Sequence, residues 1–85
     1  MMQDENHDDM QQLVTEIARA LVDDLQAVEV EAVARDENTV LRLRVASADV
    51  GKVIGKHGRT VRALRCLVNA TGIRSQKRYA LEILE

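Results

Sequence analysis

The chain has 85 residues, of which 46% are apolar and only Tyr79 is aromatic, so it can form one small domain with an aliphatic core. The net charge is −2, the N-terminal segment is acidic rather than cationic, and no apolar run approaches the roughly 20 residues of a membrane-spanning helix. This composition argues against a membrane protein and against a secreted one, so we expect a cytoplasmic protein.

The first predicted element is an amphipathic helix. Residues 1–8 are polar and carry no pattern, so we expect a disordered acidic N-terminus there and a single domain over residues 9–85. Asp8 or Asp9 can cap the first turn of the helix. The apolar residues with the spacing of one helix face are Met10, Leu13, Val14, Ile17, Ala18, Leu21 and Val22.

Two strands are predicted next, because the apolar period changes to two. Apolar and charged residues alternate over residues 28–32 and again over residues 41–45. Asp36, Glu37 and Asn38 favour a turn between these segments. The two strands should therefore form an antiparallel hairpin.

A short helix, a glycine-containing loop and a longer helix follow the hairpin. Ser47 can cap the short helix, whose apolar residues lie on one side. The longer helix is predicted from Arg59 to Thr71, with Gly72 as its C-terminal stop. Its predicted core face consists of Val61, Leu64, Leu67 and Val68, with Ala63, Cys66 and Ala70 beside them.

A last strand completes the predicted order of elements, with apolar side chains alternating through Tyr79, Leu81 and Ile83. The order is helix, strand, strand, helix, Gly-x-x-Gly loop, helix, strand. This content predicts an α+β domain in which a three-stranded sheet is covered on one face by three helices.

The sequence contains none of the residue clusters that enzymes and metal proteins use. Cys66 is the only cysteine, which rules out an internal disulfide, and we interpret it as a packed apolar residue. With only His7 and His57 beside it, no spaced set of metal ligands exists. No acid pair or nucleophile with a base stands out. We predict that the protein is not an enzyme and needs no cofactor.

Charge is distributed unevenly along the chain. Residues 1–38 contain eleven acids and two bases, whereas residues 39–85 contain ten bases and three acids. A basic half can attract phosphate locally, while the acidic half limits unspecific adsorption to nucleic acid.

The tetrapeptide Gly55-Lys56-His57-Gly58 is the strongest candidate for a binding site. Such a spacing alone is not specific, but here it separates two predicted helices. Gly58 starts the second helix without a side chain that would obstruct a ligand. The first N–H groups of that helix are unpaired, lie at the positive end of its dipole and can bind phosphate oxygens. Lys56 and His57 would add a positive charge and a hydrogen-bond donor.

The segment from Val53 to Val61 resembles the Ile-Gly-x-x-Gly signature of KH domains, whose loop clamps the backbone of about four nucleotides. The order of elements resembles the type II, bacterial arrangement. Residues 48–59 and the pair Lys77-Arg78 are similar to the small single-KH bacterial proteins of the KhpA family, also described as YlqC-like. The resemblance implies a regulatory or chaperone-type RNA-binding protein.

The resemblance also implies a binding groove between two walls. One wall would be the short helix with the glycine loop, and the other would be the last strand with the loop before it. Such a groove has an aliphatic floor, which fits a chain almost without aromatic residues for base stacking. The residues that the resemblance assigns to RNA binding are Val53, Ile54, Gly55, Lys56, His57, Gly58, Arg59, Arg74, Lys77 and Arg78.

Other basic residues are interpreted differently. Arg62 and Arg65 are expected to be solvated or to lie at an interface. Arg42 and Arg44 are most simply the solvent face of a strand, although they could also contact RNA. Tyr79 is expected to be a core residue first.

The implied partners are single-stranded RNA, with single-stranded DNA as a second candidate, and another protein chain. The KhpA resemblance implies a homodimer, or a heterodimer with a larger KH-containing protein similar to KhpB, and no membrane. Two alternatives remain open. One is a module whose main task is dimerisation or docking onto a larger protein. The other is a helix-turn-helix DNA-binding protein, which the strands on both sides of the helices disfavour.

Overall fold

Three helices and three strands follow one another along the chain in the predicted order. The computed structural model describes residues 5–74 and 76–84. Short 3₁₀ turns at Leu25–Ala27, Ser47–Asp49 and Lys56–Gly58 connect the main elements. These elements are α1 (Glu5–Leu21), β1 (Glu29–Arg35), β2 (Asn38–Arg44), α2 (Val50–Ile54), α3 (Arg59–Arg74) and β3 (Arg78–Leu84).

The strands form one mixed sheet in the order β1-β2-β3. Strands β1 and β2 are antiparallel and are joined by Asp36 and Glu37, with Asp36 in the left-handed region at φ 51°. Strands β2 and β3 are parallel, because the chain crosses over through α2 and α3 before β3 begins. Strands β1 and β3 are therefore the two edges of the sheet. This arrangement confirms the predicted α+β fold and is that of a type II KH domain.

One face of the sheet forms the core with the helices. Helix α1 lies over β1 and β2, whereas α3 lies over the edge strand β3. Leu41 and Leu43 of the central strand are fully buried, and burial of such a side chain contributes about 1.5–3 kcal/mol each. The buried cluster consists of Met10, Val14, Ala18, Val22, Leu41, Leu43, Val45, Val53, Leu64, Val68, Tyr79 and Leu81.

The other face of the sheet carries charges that balance one another. The Arg42 Nε atom lies 3.4 Å from Glu82 of β3, and the Arg44 Nε atom lies 3.9 Å from Glu29 of β1. Each arginine thus has an acidic neighbour on an adjacent strand, which is a favourable cross-strand pairing. The structure therefore favours a solvent-facing role for these two arginines over contact with RNA.

The helix starts differ from the prediction. Within the described residues helix α1 begins at Glu5, so Asp9 lies inside the helix rather than ahead of its first turn. Residues 1–4 of the predicted disordered segment lie outside the described residues. Ser47 does not cap α2 either, because it opens a separate 3₁₀ turn and makes no side-chain capping bond.

The end of α3 also differs. The helix runs to Arg74, and Gly72 lies inside it rather than ending it. Gln76 takes the left-handed position instead, at φ 59°. The Lys77 N–H donates to the Gly72 carbonyl at 2.7 Å and the Gln76 N–H donates to the Ile73 carbonyl at 3.0 Å, which is the hydrogen-bond pattern of a Schellman motif.

Helix α3 buries a narrower face than predicted. Val61, Leu64 and Val68 are buried as expected, but Leu67 is 50% exposed. Cys66 is exposed as well, so it is not the packed residue that we predicted. The reason is that α3 covers an edge strand, and no further element of the described chain lies against its outer side.

Replacing Gly72 by alanine should destabilise the protein. A Cβ atom there would lie 2.8 Å from the Lys77 carbonyl oxygen and 2.9 Å from Tyr79 Cδ2, both of which are fixed at the start of β3. We expect Gly72→Ala to lower the free energy of unfolding by about 1–3 kcal/mol, as overpacking does. Urea denaturation monitored by circular dichroism would measure this loss of stability.

Gly51→Ala is the matched control. A Cβ atom at Gly51 would meet nothing within 4 Å, and the residue lies in α2. We expect this variant to be as stable as the wild type or up to about 1 kcal/mol more stable, because alanine favours the helix. Equal stability of the two variants would contradict the close packing inferred at Gly72.

Candidate nucleic-acid interface

The loop between α2 and α3 is built from left-handed residues. Gly55, His57 and Gly58 have φ angles of 79°, 58° and 73°. The Gly58 N–H donates to the Gly55 carbonyl at 3.0 Å, which closes the turn. A left-handed backbone costs glycine little, whereas it costs another residue about 1–2 kcal/mol. His57 is thus the strained residue of an otherwise relaxed turn.

The two glycines are needed for different reasons. A Cβ atom on Gly55 would lie 2.2 Å from the Thr60 hydroxyl oxygen and 2.9 Å from the Thr60 backbone nitrogen, so no side chain fits. A Cβ atom on Gly58 would meet nothing within 4 Å. The space in front of Gly58 is therefore open to a ligand, and its backbone can be approached closely.

The start of α3 can accept an anion. This helix has 16 residues and no acidic residue in its first turn. Its first N–H groups lie at the positive end of the helix dipole, a position that binds phosphate oxygens. Lys56, His57 and Arg59 are exposed around this helix start. The structure thus brings these three of the predicted site residues together at the start of α3.

The two α2 residues of the predicted site have different environments. Val53 is 0% exposed and belongs to the core, so it cannot form part of the groove floor as predicted. Ile54 is 37% exposed beside Gly55 and remains able to contact a ligand. Helix α2 has only five residues, and its inner side packs against α1 and α3.

Arg74, Lys77 and Arg78 lie far from the loop. Helix α3 separates them from it, and its 16 residues span about 22–24 Å at 1.5 Å per residue. The predicted site residues therefore form two clusters, one at each end of α3. We call them the loop cluster (Ile54 to Arg59) and the distal cluster (Arg74, Lys77 and Arg78).

A groove between α3 and the free edge of β3 runs from Arg65, near the middle of α3, to the distal cluster. A cavity of about 210 Å³ is lined by Arg65, Val68, Asn69, Tyr79, Ala80 and Leu81. A second cavity of about 330 Å³ shares Asn69, Tyr79 and Ala80 with the first and continues to Lys77 and Arg78. We call this surface the α3–β3 groove.

Arg65 crosses the α3–β3 groove. Its Nε and Nη2 atoms both donate to the Leu81 carbonyl oxygen at 3.4 Å. We had interpreted Arg65 as solvated or interfacial. Its contact depends on how α3 packs over β3, and no local pattern of the sequence signals it.

A buried carboxylate fixes α2 against the connection between α1 and β1. Asp49 is 2% exposed, and its carboxylate accepts the Asp24 N–H at 3.1 Å and the Lys52 ammonium at 3.2 Å. Lys52 also donates to Asp23. The hydrogen bond from the Asp24 backbone lowers the pKa of Asp49, and the bond to Asp23 raises the pKa of Lys52. Since α2 leads directly into Gly55, this network helps to orient the loop.

Other surfaces offer less chemistry. A shallow cavity of about 720 Å³ lies between α1 and β1, at the opposite edge of the sheet from β3. Its lining consists of Gln11, Gln12, Thr15, Glu16, Arg19 and Val30. Within residues 5–74 and 76–84, no group of three or more His, Cys, Asp or Glu side chains could hold a metal ion. No helix in that part of the chain is long and apolar enough to cross a membrane.

The element order, the mixed sheet and the glycine loop define a KH domain, and comparisons with known proteins identify its family. The family model described as "KhpA/KhpB, KH domain" matches residues 11–83. The chain therefore belongs to the KhpA/KhpB family of KH domains. This family is not enzymatic, in agreement with the sequence prediction.

Three relatives, each named "RNA-binding protein KhpA", show how much of the chain is shared. The relative from Treponema pallidum is 55% identical over 75 residues, which cover 88% of this chain and 94% of the relative. The relative from Caldanaerobacter subterraneus is 45% identical over 88% of this chain and 100% of its own length. The relative from Aquifex aeolicus is 43% identical over 89% of this chain and 96% of its own length. No solved structure matched.

The buried Asp49 predicts a pH dependence of stability. Its folded-state pKa lies below the ordinary value of 3.8, so the folded protein binds fewer protons than the unfolded chain. The network thus stabilises the folded protein at pH values above 3.8. This contribution is lost as the pH falls through the folded-state pKa of Asp49. Urea midpoints measured between pH 7 and pH 2.5 should fall less steeply with acid in Asp49→Asn than in the wild type.

Asp23→Asn is the control for this measurement, because the Asp23 side chain is 85% exposed and binds only the same lysine from outside. Its acid dependence should resemble that of the wild type. If Asp49→Asn loses stability with acid as steeply as the wild type does, Asp49 is not the group responsible.

Proposed function

We propose that the protein binds single-stranded RNA in the cytoplasm as a regulatory or chaperone-type RNA-binding protein that acts with a partner. The observation that carries this proposal is the loop cluster, where an acid-free helix start, open space at Gly58 and two exposed cationic side chains meet. The naming of the relatives as RNA-binding proteins supports it.

The loop cluster suits a phosphate of the RNA backbone. The Arg59 N–H is taken up by the Lys56 carbonyl, so the N–H groups that follow it in the first turn of α3 donate to the phosphate oxygens, and Gly58 lets the backbone of the ligand come close. Lys56 and Arg59 supply the charge, and His57 supplies a donor. Ile54 gives the adjacent nucleotide an apolar surface. Every part of this arrangement recognises the backbone and none of it selects a base.

The α3–β3 groove suits the nucleotides that follow. The groove follows α3 from Arg65 to Ile73, which is about 12 Å at 1.5 Å per residue, so it has room for some of the four or so nucleotides that a KH domain holds. The distal cluster lies where the phosphates at the far end would pass. A bound RNA strand would thus be held by charge at both ends, and it would lie along a mixed surface formed by Val68, Asn69, Tyr79 and Ala80 in the groove.

Base contacts would be made at the free edge of β3. The Leu81 carbonyl points away from β2, since it accepts the Arg65 side chain, and in a strand the N–H of the same residue points to the same side. The Leu81 N–H can pair with the polar edge of a base, whereas the Leu81 carbonyl becomes available only when Arg65 moves aside. Without aromatic stacking, each base contributes less than the ~1–3 kcal/mol that stacking supplies, so modest affinity is expected.

Replacing the two central loop residues by acids should abolish RNA binding. Lys56→Asp/His57→Asp puts negative charge where phosphate binds, and aspartate tolerates the left-handed backbone of position 57. We expect fluorescence anisotropy with short single-stranded RNA to show at least about a tenfold loss of affinity, because two charge-assisted contacts are replaced by repulsion. Circular dichroism would check the fold.

The matched control is Arg19→Glu/Gln12→Glu, which changes the net charge by the same amount on the exposed side of α1. It should bind RNA nearly as well as the wild type. If both double variants bind like the wild type, RNA uses another surface. Single-stranded DNA and duplex DNA belong in the same titration, since preferred binding to duplex DNA would favour the helix-turn-helix alternative.

A second function, docking of another protein chain, is favoured by the outer side of α3. Leu67 is 50% exposed and Ile73 is 74% exposed on this helix. Ala63, Cys66 and Ala70 are exposed on the same helix and have the spacing of the same outer side. We propose that this stripe holds a second copy of the chain or a larger KH-containing partner similar to KhpB. Ile73 also lines the second cavity of the α3–β3 groove, so the stripe and the groove share this residue, and Leu67 is the large apolar residue that belongs to the stripe alone.

A charged residue in the stripe should prevent self-association. We expect light scattering after size exclusion to show a concentration-dependent dimer for the wild type and a monomer for Leu67→Asp, because a buried unpaired carboxylate is costly. Leu13→Asp is the control, since Leu13 is a 38% exposed leucine on α1. A wild type that stays monomeric at all concentrations and does not bind a purified KhpB-like protein would count against this second function.

A further inference from the structure

Arg62 reaches from α3 back to the glycine loop. Its Nη2 atom donates to the His57 carbonyl oxygen at 2.8 Å. This is a short hydrogen bond from a charged donor, of the kind that is stronger than one between neutral groups. Arg62 is exposed, as the sequence predicts, and in addition its side chain makes this contact with the loop.

The position of Arg62 in the helix makes this contact possible. Side chains on a helix point toward its N-terminus, so a residue near the start of α3 overhangs the loop that precedes it. A cation near the start of a helix is disfavoured by the helix dipole. Arg62 therefore does not stabilise the helix itself at this position, but its side chain reaches a carbonyl in the middle of the loop.

The bonded carbonyl belongs to the strained residue of the loop. His57 is left-handed at φ 58° between Lys56 and Gly58, and it lacks the freedom of glycine. If it relaxed to a right-handed conformation, the peptide groups on both sides would turn. The turn that the Gly58 N–H closes onto the Gly55 carbonyl would then open, and the start of α3 would no longer be presented to a phosphate in the same way.

We propose that Arg62 is a positioning residue that holds the Gly-x-x-Gly loop in its binding conformation by tethering the His57 carbonyl. This inference rests on the proposed RNA-binding function. It adds that the loop already has its binding conformation in the free protein. The apparent dissociation constant equals the intrinsic one divided by the fraction of molecules in the competent conformation. Loss of the tether lowers that fraction.

A double-mutant cycle with His57→Gly separates positioning from direct phosphate contact. Glycine adopts positive and negative φ about equally well, so in the His57→Gly background at least about half of the molecules keep the competent loop without help. We expect Arg62→Ala to weaken RNA binding at least about fivefold in the wild-type background, but at most about twofold in the His57→Gly background.

The salt dependence of binding gives a second criterion. Removal of a direct phosphate contact lowers the slope of log K against log salt by about 0.7 for a single strand, whereas removal of a positioning residue leaves the slope unchanged. Arg19→Ala, which removes the same charge from α1, should bind like the wild type. If Arg62→Ala weakens binding equally in both backgrounds and lowers the slope, Arg62 is a phosphate ligand and the proposal is overturned. An unchanged affinity also overturns it.

The loop conformation is measurable without RNA, which separates this proposal from the function it rests on. The intraresidue HN–Hα nuclear Overhauser effect of His57 is strong when φ is positive and weak when φ is negative. We expect it to weaken in Arg62→Ala and to stay strong in Arg19→Ala. If it stays strong in Arg62→Ala, the tether does not hold the loop. A wild type that fails to bind RNA while Arg62→Ala still weakens this signal refutes the function and supports the tether.

Discussion

At Gly55 the chain leaves α2 and passes so close to Thr60 that a Cβ atom would lie 2.2 Å from the hydroxyl oxygen. This approach brings the last turn of α2 and the first turn of α3 into contact with only a few residues between them. The short connection changes direction at a kink, and His57 and Gly58 have left-handed angles there. The start of α3 is thereby left uncovered, which is what makes it available to an anion.

The basic residues of the second half of the chain have different roles, which a count of charges does not distinguish. Arg42, Arg44 and Lys52 have acidic partners in ion pairs. Arg62 and Arg65 instead donate to backbone carbonyls. The basic residues that are exposed at the two ends of α3 are Lys56, Arg59, Arg74, Lys77 and Arg78. The positive surface therefore follows one helix, although the bases are spread over nearly half of the sequence.

The periodic parts of the fold could be predicted from the sequence, because burial on one face imposes a period on each strand and on α1. The loop between α2 and α3 could also be predicted, because two glycines interrupt a helical pattern there. What could not be predicted depends on distant contacts. Leu67 has the spacing of a core residue but is half exposed, since α3 lies over an edge strand. The burial of Asp49 depends on Asp24, and the roles of Arg62 and Arg65 depend on backbone carbonyls.

The near absence of aromatic residues gives a reason why the two surfaces of α3, the α3–β3 groove and the outer stripe, would act together. A groove that holds RNA by backbone charge and aliphatic contact binds weakly and reads few bases. If a second binding site is joined to the first, its local concentration near the RNA becomes high, and the complex as a whole binds much more tightly without any new contact. A dimer through the outer side of α3 would supply such a second site directly beside the first groove. The exposed Leu67 and Ile73 would thus compensate for the weakness of the α3–β3 groove.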